Sequence, residues 1–192
     1  MPRNKTIADE EILNVARSHF IKQGVKASTK TIAKAVGISE AVIFQRFGTK
    51  EDLFFAAMVP PEAQLDAIFC VKPGEKQVSE NLKLISLQIV DYFGEVMPIF
   101  LTLISHPSFD MQTFLQRHTM PAIQLGNKLT EYLNAEADLG RIRKDNFATA
   151  ASVLLSYLHN LALSENIGSH QVIDTENAIS ETIVFLWQGL AV

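Results

Sequence analysis

Apolar residues recur at three- and four-residue steps along almost every periodic stretch of this chain, and nowhere does an alternating strand pattern appear. That spacing sets apolar side chains on one face of a helix, so the fold class expected is all-α, with about nine helices. In the first stretch Ile12, Leu13, Ala16, Phe20 and Ile21 share a face, and Gly24 stops the helix. Ser28 or Thr29 caps a second, short helix with Ile32, Ala33 and Val36 inside, and Gly37 breaks it. Ser39 caps a third, carrying Val42, Ile43 and Phe47. Thr49 caps a fourth, with Glu51 and Asp52 in the turn where the helix dipole favours acids.

Two short helices joined by a glycine turn make a helix-turn-helix. Its second helix must be short and exposed on one face, so that side chains near its start reach base edges in the major groove. The segment "TIAKAVGISEAVIFQRF" supplies these parts. Ala33 lets the helices cross closely, Gly37 takes the positive φ of the turn, and Ile38, Val42 and Ile43 anchor the second helix from beneath. Glu40, Ala41, Phe44, Gln45 and Arg46 are left near the outer face. Charge agrees with this placement. The 192-residue chain is −4 overall, but residues 1–58 hold nine Lys/Arg against six Asp/Glu, so that segment is +3 and the remainder −7. A basic head on an acidic body suits a protein of which only the head meets phosphate.

Pro60-Pro61 breaks or kinks the fourth helix and divides a head, residues 1–58, from a body, residues 59–192. In the body a long helix is expected over about Val78–Glu95. Another runs from Met97-Pro98 to near His106. A third spans about Met111–Ala135, kinked at Pro121, and a turn follows over Asp138–Lys144. Two last helices run from about Asn146 to Ser164 and from Thr175 to Leu190.

The stretch "EEILNVARSHFIKQGVKASTKTIAKAVGISEAVIFQRFGTKEDLF" resembles the N-terminal domain of TetR-family regulators. The likeness runs through Ile12, Ala16, Phe20, Gly24, Ile32-Ala33, Gly37-Ile38-Ser39, Phe44, Phe47, Thr49-Lys50-Glu51 and Leu53. It departs from the family pattern at Val25, where an aromatic is usual, and at Ala41, Val42 and Phe44 in the third helix. The last two lack hydroxyls that would meet the DNA backbone. The resemblance implies a three-helix DNA-binding head and a helical ligand-binding body whose last two helices form the dimer. It also implies a repressor, released from an inverted-repeat operator in double-stranded DNA by a small molecule.

On this basis the expected DNA-binding residues are Thr29, Lys30, Thr31, Ser39, Glu40, Ala41, Gln45, Arg46 and Lys50. Lys50 matches the family lysine at the start of the fourth helix and would touch phosphate. Gln45 pairs with adenine and Arg46 with guanine, or either holds phosphate. Glu40 either accepts from cytosine or stabilises the start of its own helix. Thr29, Lys30 and Thr31 sit where the second helix begins. Arg3 and Lys5 form a short arm that reaches the minor groove or is disordered.

The Asn146–Ser164 helix is apolar nearly all round, which calls for cover on both sides, by its own core and by a second copy. The expected homodimer interface is Leu154, Tyr157, Leu158, Leu161, Ile183, Leu186 and Trp187, two helices per chain making a four-helix bundle. Between positions 93 and 125 large Phe, Met and Leu residues crowd together, as in a shape-adaptable cavity. The expected pocket for a small, largely apolar effector is Tyr92, Met97, Phe100, Leu101, Ile104, Phe114, His118, Leu125 and Asn160. Gln116 and His159 are further polar candidates. The alternative is a regulator controlled by a protein partner.

The sequence holds no motif of a zinc protease, nucleotide-binding loop, serine hydrolase or dinucleotide fold, so no catalytic residue, cofactor or metal is expected. One cysteine, Cys70, excludes an intrachain disulfide. The N-terminus lacks a secretory apolar run, and Phe147–Leu163 is interrupted by Ser152, Ser156, His159 and Asn160, so a cytoplasmic protein without a membrane span is expected.

Overall fold

The computed structural model describes residues 7–60, 65–168 and 174–190. Among them the chain forms ten α-helices and no strand. They are α1 (Asp9–Gln23), α2 (Thr29–Val36), α3 (Glu40–Phe47), α4 (Lys50–Ala57), α5 (Leu65–Ile68), α6 (Val78–Ile104), α7 (Met111–Arg117), α8 (Pro121–Asp138), α9 (Phe147–Asn166) and α10 (Thr175–Leu190).

Local chemistry sets the first four. Asp9, Glu10 and Glu11 stand in the first turn of α1, and Gly24 ends it at a φ of +57°. The Ser28 hydroxyl accepts from the Thr31 N–H, and α2 stops at Gly37, whose φ of +82° lets the Gly37 and Ile38 N–H groups turn back onto the Ala33 carbonyl. Ser39 stands at the start of α3, but its hydroxyl makes no capping bond. Thr49 and Asp52 cap α4 reciprocally: the Thr49 hydroxyl accepts from the Asp52 N–H at 3.0 Å, and the Asp52 carboxylate accepts from the Thr49 N–H at 2.9 Å. Thr49→Ala is therefore expected to cost about 1 kcal/mol in a urea melt. The Thr49 hydroxyl, and then its backbone N–H, hold the Asp52 carboxyl below its ordinary value. The stability Asp52 adds is present above about pH 4 and lost as the pH falls through that lowered value.

α4 ends at Ala57, before Pro60; Pro61 lies outside the described residues, as do Arg3 and Lys5. Arg17 closes this end, donating through Nε to the Ala57 carbonyl at 2.8 Å and through Nη2 to that of Val59 at 3.4 Å.

Two prolines act otherwise than expected. Pro98 lies inside α6, which runs unbroken where two helices were expected. A proline at this position leaves the carbonyl of Gly94, four residues back, without its helical donor. Asn166 supplies one through Nδ2 at 3.4 Å. Pro121, in contrast, does not kink a long helix but opens α8 at its first position, where a missing N–H costs nothing, and residues 118–120 separate it from α7.

The chain divides into two compact units: Met1–Pro61 with Pro98–Phe114, and Glu62–Met97 with Leu115–Val192. The first unit thus takes in more than the N-terminal segment. Its core joins Ile12, Phe20, Ile32, Ile43, Leu53 and Phe54 to Ile99 and Leu103, with Phe100, Phe109 and Phe114 packed against them. The second unit's core is built from α6, α8, α9 and α10, around Ile85, Ile89, Leu125, Leu129, Leu158 and Ile179. Helices α6 and α9 have the length and hydropathy of membrane spans, but each turns its buried apolar side chains into these cores.

Candidate functional site

In the first unit α2 and α3 cross at the Gly37 turn, and the apolar undersides of both are spent on the core: Ile32, Ala33 and Ile43 are buried. The outer face of α3 presents Ala41, Phe44 and Gln45, all exposed. These stand at i, i+3 and i+4, one face of a helix. On α2, Lys30 and Thr31 are exposed beside the capped N-terminus, and Ser39 is exposed just ahead of α3.

The remaining expected contacts are engaged within the chain. Thr29 is buried, and its hydroxyl donates to the Glu40 carboxylate at 2.5 Å, so Glu40 locks α3 to the start of α2. Arg46 donates from one Nη to the Ile7 carbonyl at 2.6 Å and to Asp9 at 3.0 Å. Lys50 donates to the Val25 carbonyl at 2.6 Å, which holds the α1–α2 link against the start of α4. Asp9 was not foreseen as a member of this group, because it reads in sequence only as an acid at a helix start.

The second unit contains an open cleft of about 480 Å³ between α8 and α9, floored by Phe93 of α6 and by Leu155. Ala122, Gly126 and Thr130 line one wall and Ala148, Ser152 and Ser156 the other. Each trio has four-residue spacing, so each wall of the cleft is a stripe of small side chains along one helix face, which leaves its space unfilled. The Thr130 hydroxyl donates to the Gly126 carbonyl and the Ser156 hydroxyl to the Ser152 carbonyl, both at 2.8 Å. His159 stands edge-on to Phe93, with ring centres 5.3 Å apart, and Asn127 completes the polar lining. No Lys, Arg, Asp or Glu lines the cleft.

Residues 12–57 match the model of the family described as bacterial regulatory proteins, tetR family. The N-terminal segment is thus the DNA-binding domain of a TetR-family transcriptional regulator. The chain is accordingly a DNA-binding transcription factor and not an enzyme. It is 24% identical over 165 residues to the uncharacterised HTH-type transcriptional regulator YvkB of Bacillus subtilis (strain 168), covering 83% of this chain and 86% of that one. A regulator assigned to the TetR family from Mesorhizobium loti MAFF303099 superposes with a TM-score of 0.76 at 16% identity, over 96% of each chain. NalD, the secondary repressor of the MexAB-OprM multidrug efflux pump in Pseudomonas aeruginosa, superposes at 0.62 with 16% identity, over 95% of each chain.

The regulator's expected pocket residues do not gather round one cavity. Phe100 and Phe114 pack on the core of the first unit, while Leu125 is buried in that of the second and Tyr92 packs against it. Burial, then the charge of Glu95, pushes the Tyr92 phenol up to about 12. Met97 is buried, Leu101 and Ile104 are exposed, His118 is half-buried between α7 and α8, and Asn160 is exposed on α9. Of the polar candidates, His159 alone lines the cleft. The signal for the cleft was the small-residue spacing on α8 and α9, not the density of Phe and Met.

The expected dimer residues also fall on two sides. Leu154, Leu158, Leu161 and Ile183 are at most 5% exposed within the chain's own core and have no surface to give a partner. Tyr157, Leu186 and Trp187 are half-buried against that core. The outward apolar residues of the same helices are Val153 on α9 and Val184 and Phe185 on α10, the last 76% exposed.

Proposed function

We propose that this regulator is a repressor that binds an inverted-repeat operator as a homodimer in the cytoplasm and leaves it when a small, largely apolar effector binds. The observation that carries the DNA reading is the neutral, exposed outer face of α3, presented by a helix whose underside and ends are fixed: Ile43 buried, Glu40 and Arg46 bonded inward. A rigid helix of eight residues with one free face suits major-groove entry. Lys30, Thr31 and Ser39, exposed beside the starts of α2 and α3, are the candidate phosphate contacts.

Pairing is assigned to the outward face of α9 and α10, centred on Val153, Val184 and Phe185, with Tyr157, Leu186 and Trp187 at its edge. A side chain as apolar and as exposed as Phe185 gains most from being covered. The cleft between α8 and α9 is the proposed effector site; its mixed lining, with no charged group, supports a small uncharged ligand over control by a partner protein. Repression is the mode that NalD's description gives for that protein.

The test is equilibrium sedimentation together with titration of inverted-repeat duplexes by the full-length protein at fixed salt. The wild type is expected to be a dimer. Phe185→Glu is expected to sediment as a monomer and to bind the same duplex roughly 100-fold more weakly, because the second head no longer benefits from the first. A dimer that survives Phe185→Glu together with Val184→Glu would place the interface elsewhere. A protein that binds no duplex at low salt would end the proposal.

A further inference from the structure

We infer that the recognition helix reads A·T pairs, through Gln45, Ala41 and Phe44, and that Arg46 is a positioning residue that grips the regulator's own N-terminal end. This rests on the proposed entry of α3 into the major groove. Helix α3 carries two charged side chains, and each is bonded within the chain. The Glu40 carboxylate holds the buried Thr29 hydroxyl, so it is not free to accept from cytosine. Arg46 directs one nitrogen to both the Ile7 carbonyl and the Asp9 carboxylate, and its side chain is 27% exposed. To hold guanine, a guanidinium must turn two N–H groups onto O6 and N7. With Nη1 anchored on Ile7 and Asp9, Arg46 is assigned to that anchorage and not to a base; the Asp9 side chain is 64% exposed, so the pair orients the guanidinium more than it adds stability.

What remains outward is chemically narrow. The Gln45 amide offers one donor beside one acceptor, the complement of adenine N7 and N6–H₂. Ala41 and Phe44, on the same face, are apolar, and Phe44 is 43% exposed. Apolar groups in the major groove meet the thymine C5 methyl. Ala41 and Phe44 supply no donor, and Gln45 could meet guanine only by turning both N–H of its one amide nitrogen onto it, leaving its carbonyl unpaired. The uncharged face of α3 therefore selects A·T, while charge-based affinity is left to exposed lysines off that helix such as Lys30.

Selection from random duplexes with full-length protein tests this, followed by titration of the selected site carrying single base analogues. A·T pairs are expected at the α3-contacted positions. Replacing the contacted adenine by 7-deazaadenine, or a contacted thymine by uracil, is expected to weaken wild-type binding roughly tenfold, the scale of a lost base contact. Gln45→Ala should lose the adenine preference. Arg46→Gln and Asp9→Asn should weaken binding by similar factors that do not multiply in the double variant. Both should leave the selected sequence and the salt slope unchanged, and Arg46→Lys should restore most of the loss.

Enrichment of guanine at a position whose preference disappears in Arg46→Gln but persists in Asp9→Asn would overturn the inference. So would a salt slope lowered by about one in Arg46→Gln, the mark of a lost phosphate contact. Binding with either of these signs leaves the DNA-binding reading standing, whereas failure to select any duplex at low salt removes both. The analogue arm uses the unaltered protein, so misfolding of a variant cannot decide the outcome.

Discussion

Arg141→Met is expected to destabilise the second unit by about 3 kcal/mol, read as a lower urea midpoint at unchanged slope. The reason is Glu136, a carboxylate with no solvent exposure near the end of α8. Its Oε2 accepts from Arg141 at 2.9 Å and from the Gly74 N–H at 3.2 Å, and its Oε1 accepts from the Tyr132 hydroxyl at 2.6 Å. Asn81 donates to the Tyr132 oxygen at 3.0 Å and to the Glu75 carbonyl at 2.8 Å. Arg141 also donates to the carbonyls of Glu75 and Lys76, and Lys76 sits at a φ of +44°, which a non-glycine residue adopts only when held. Methionine keeps the stem's packing but leaves a buried charge facing neutral donors. Adding Glu136→Gln removes that charge, so the double variant should be more stable than Arg141→Met alone. That sign reversal is what a coupled pair gives and an unspecific packing loss does not. Burial, and then the bond to Glu136, raise the Tyr132 phenol above its ordinary value. Its share of the stability is therefore complete below about pH 10 and is lost as alkaline pH climbs through the raised value. An Arg141→Met protein that melts with the wild type would show that the other partners of Glu136 suffice without the guanidinium.

Sequence legibility tracked how local each cause was. Gly24, Ser28, Gly37 and Thr49 act on their own turn of chain, and the head was readable from them. Pro98 was misread because its tolerance depends on Asn166, sixty-eight residues later, supplying the Gly94 carbonyl. The crowd of Phe and Met between positions 93 and 125 signalled burial but not destination. Phe100, Phe109 and Phe114 go to the core of the first unit, Phe93 and Leu125 to that of the second. On α9 the abundance of leucine concealed its phase. Leu154, Leu158 and Leu161 face inward together, and the opposite face carries Val153, Ser156 and Asn160. Glu136 gave no sign at all, since a glutamate in the run "NAEADLGRIRKD" reads as surface until Arg141 and Tyr132 are folded onto it.

The phenylalanines of the first unit permit a sharper separation of packing from reading. Phe54→Ala is expected to cost about 4 kcal/mol. The ring is 2% exposed and packs edge-on against Phe20 at 5.1 Å and Phe55 at 5.4 Å, with His106 tilted over it at 4.5 Å. His106 is itself tethered, its Nδ1 accepting from the Ser108 N–H at 3.1 Å, which limits how far it can move into the void. Since a domain is stable by only about 5–15 kcal/mol, this loss should move the melting midpoint by many degrees. Phe44→Ala removes the same side chain from a site 43% exposed, and its effect on stability should stay within about 0.5 kcal/mol. Its cost should appear instead in DNA affinity, at the positions where thymine is replaced by uracil. Equal melting losses in the two variants would mean that Phe44 is held by the fold and is not free to meet a base.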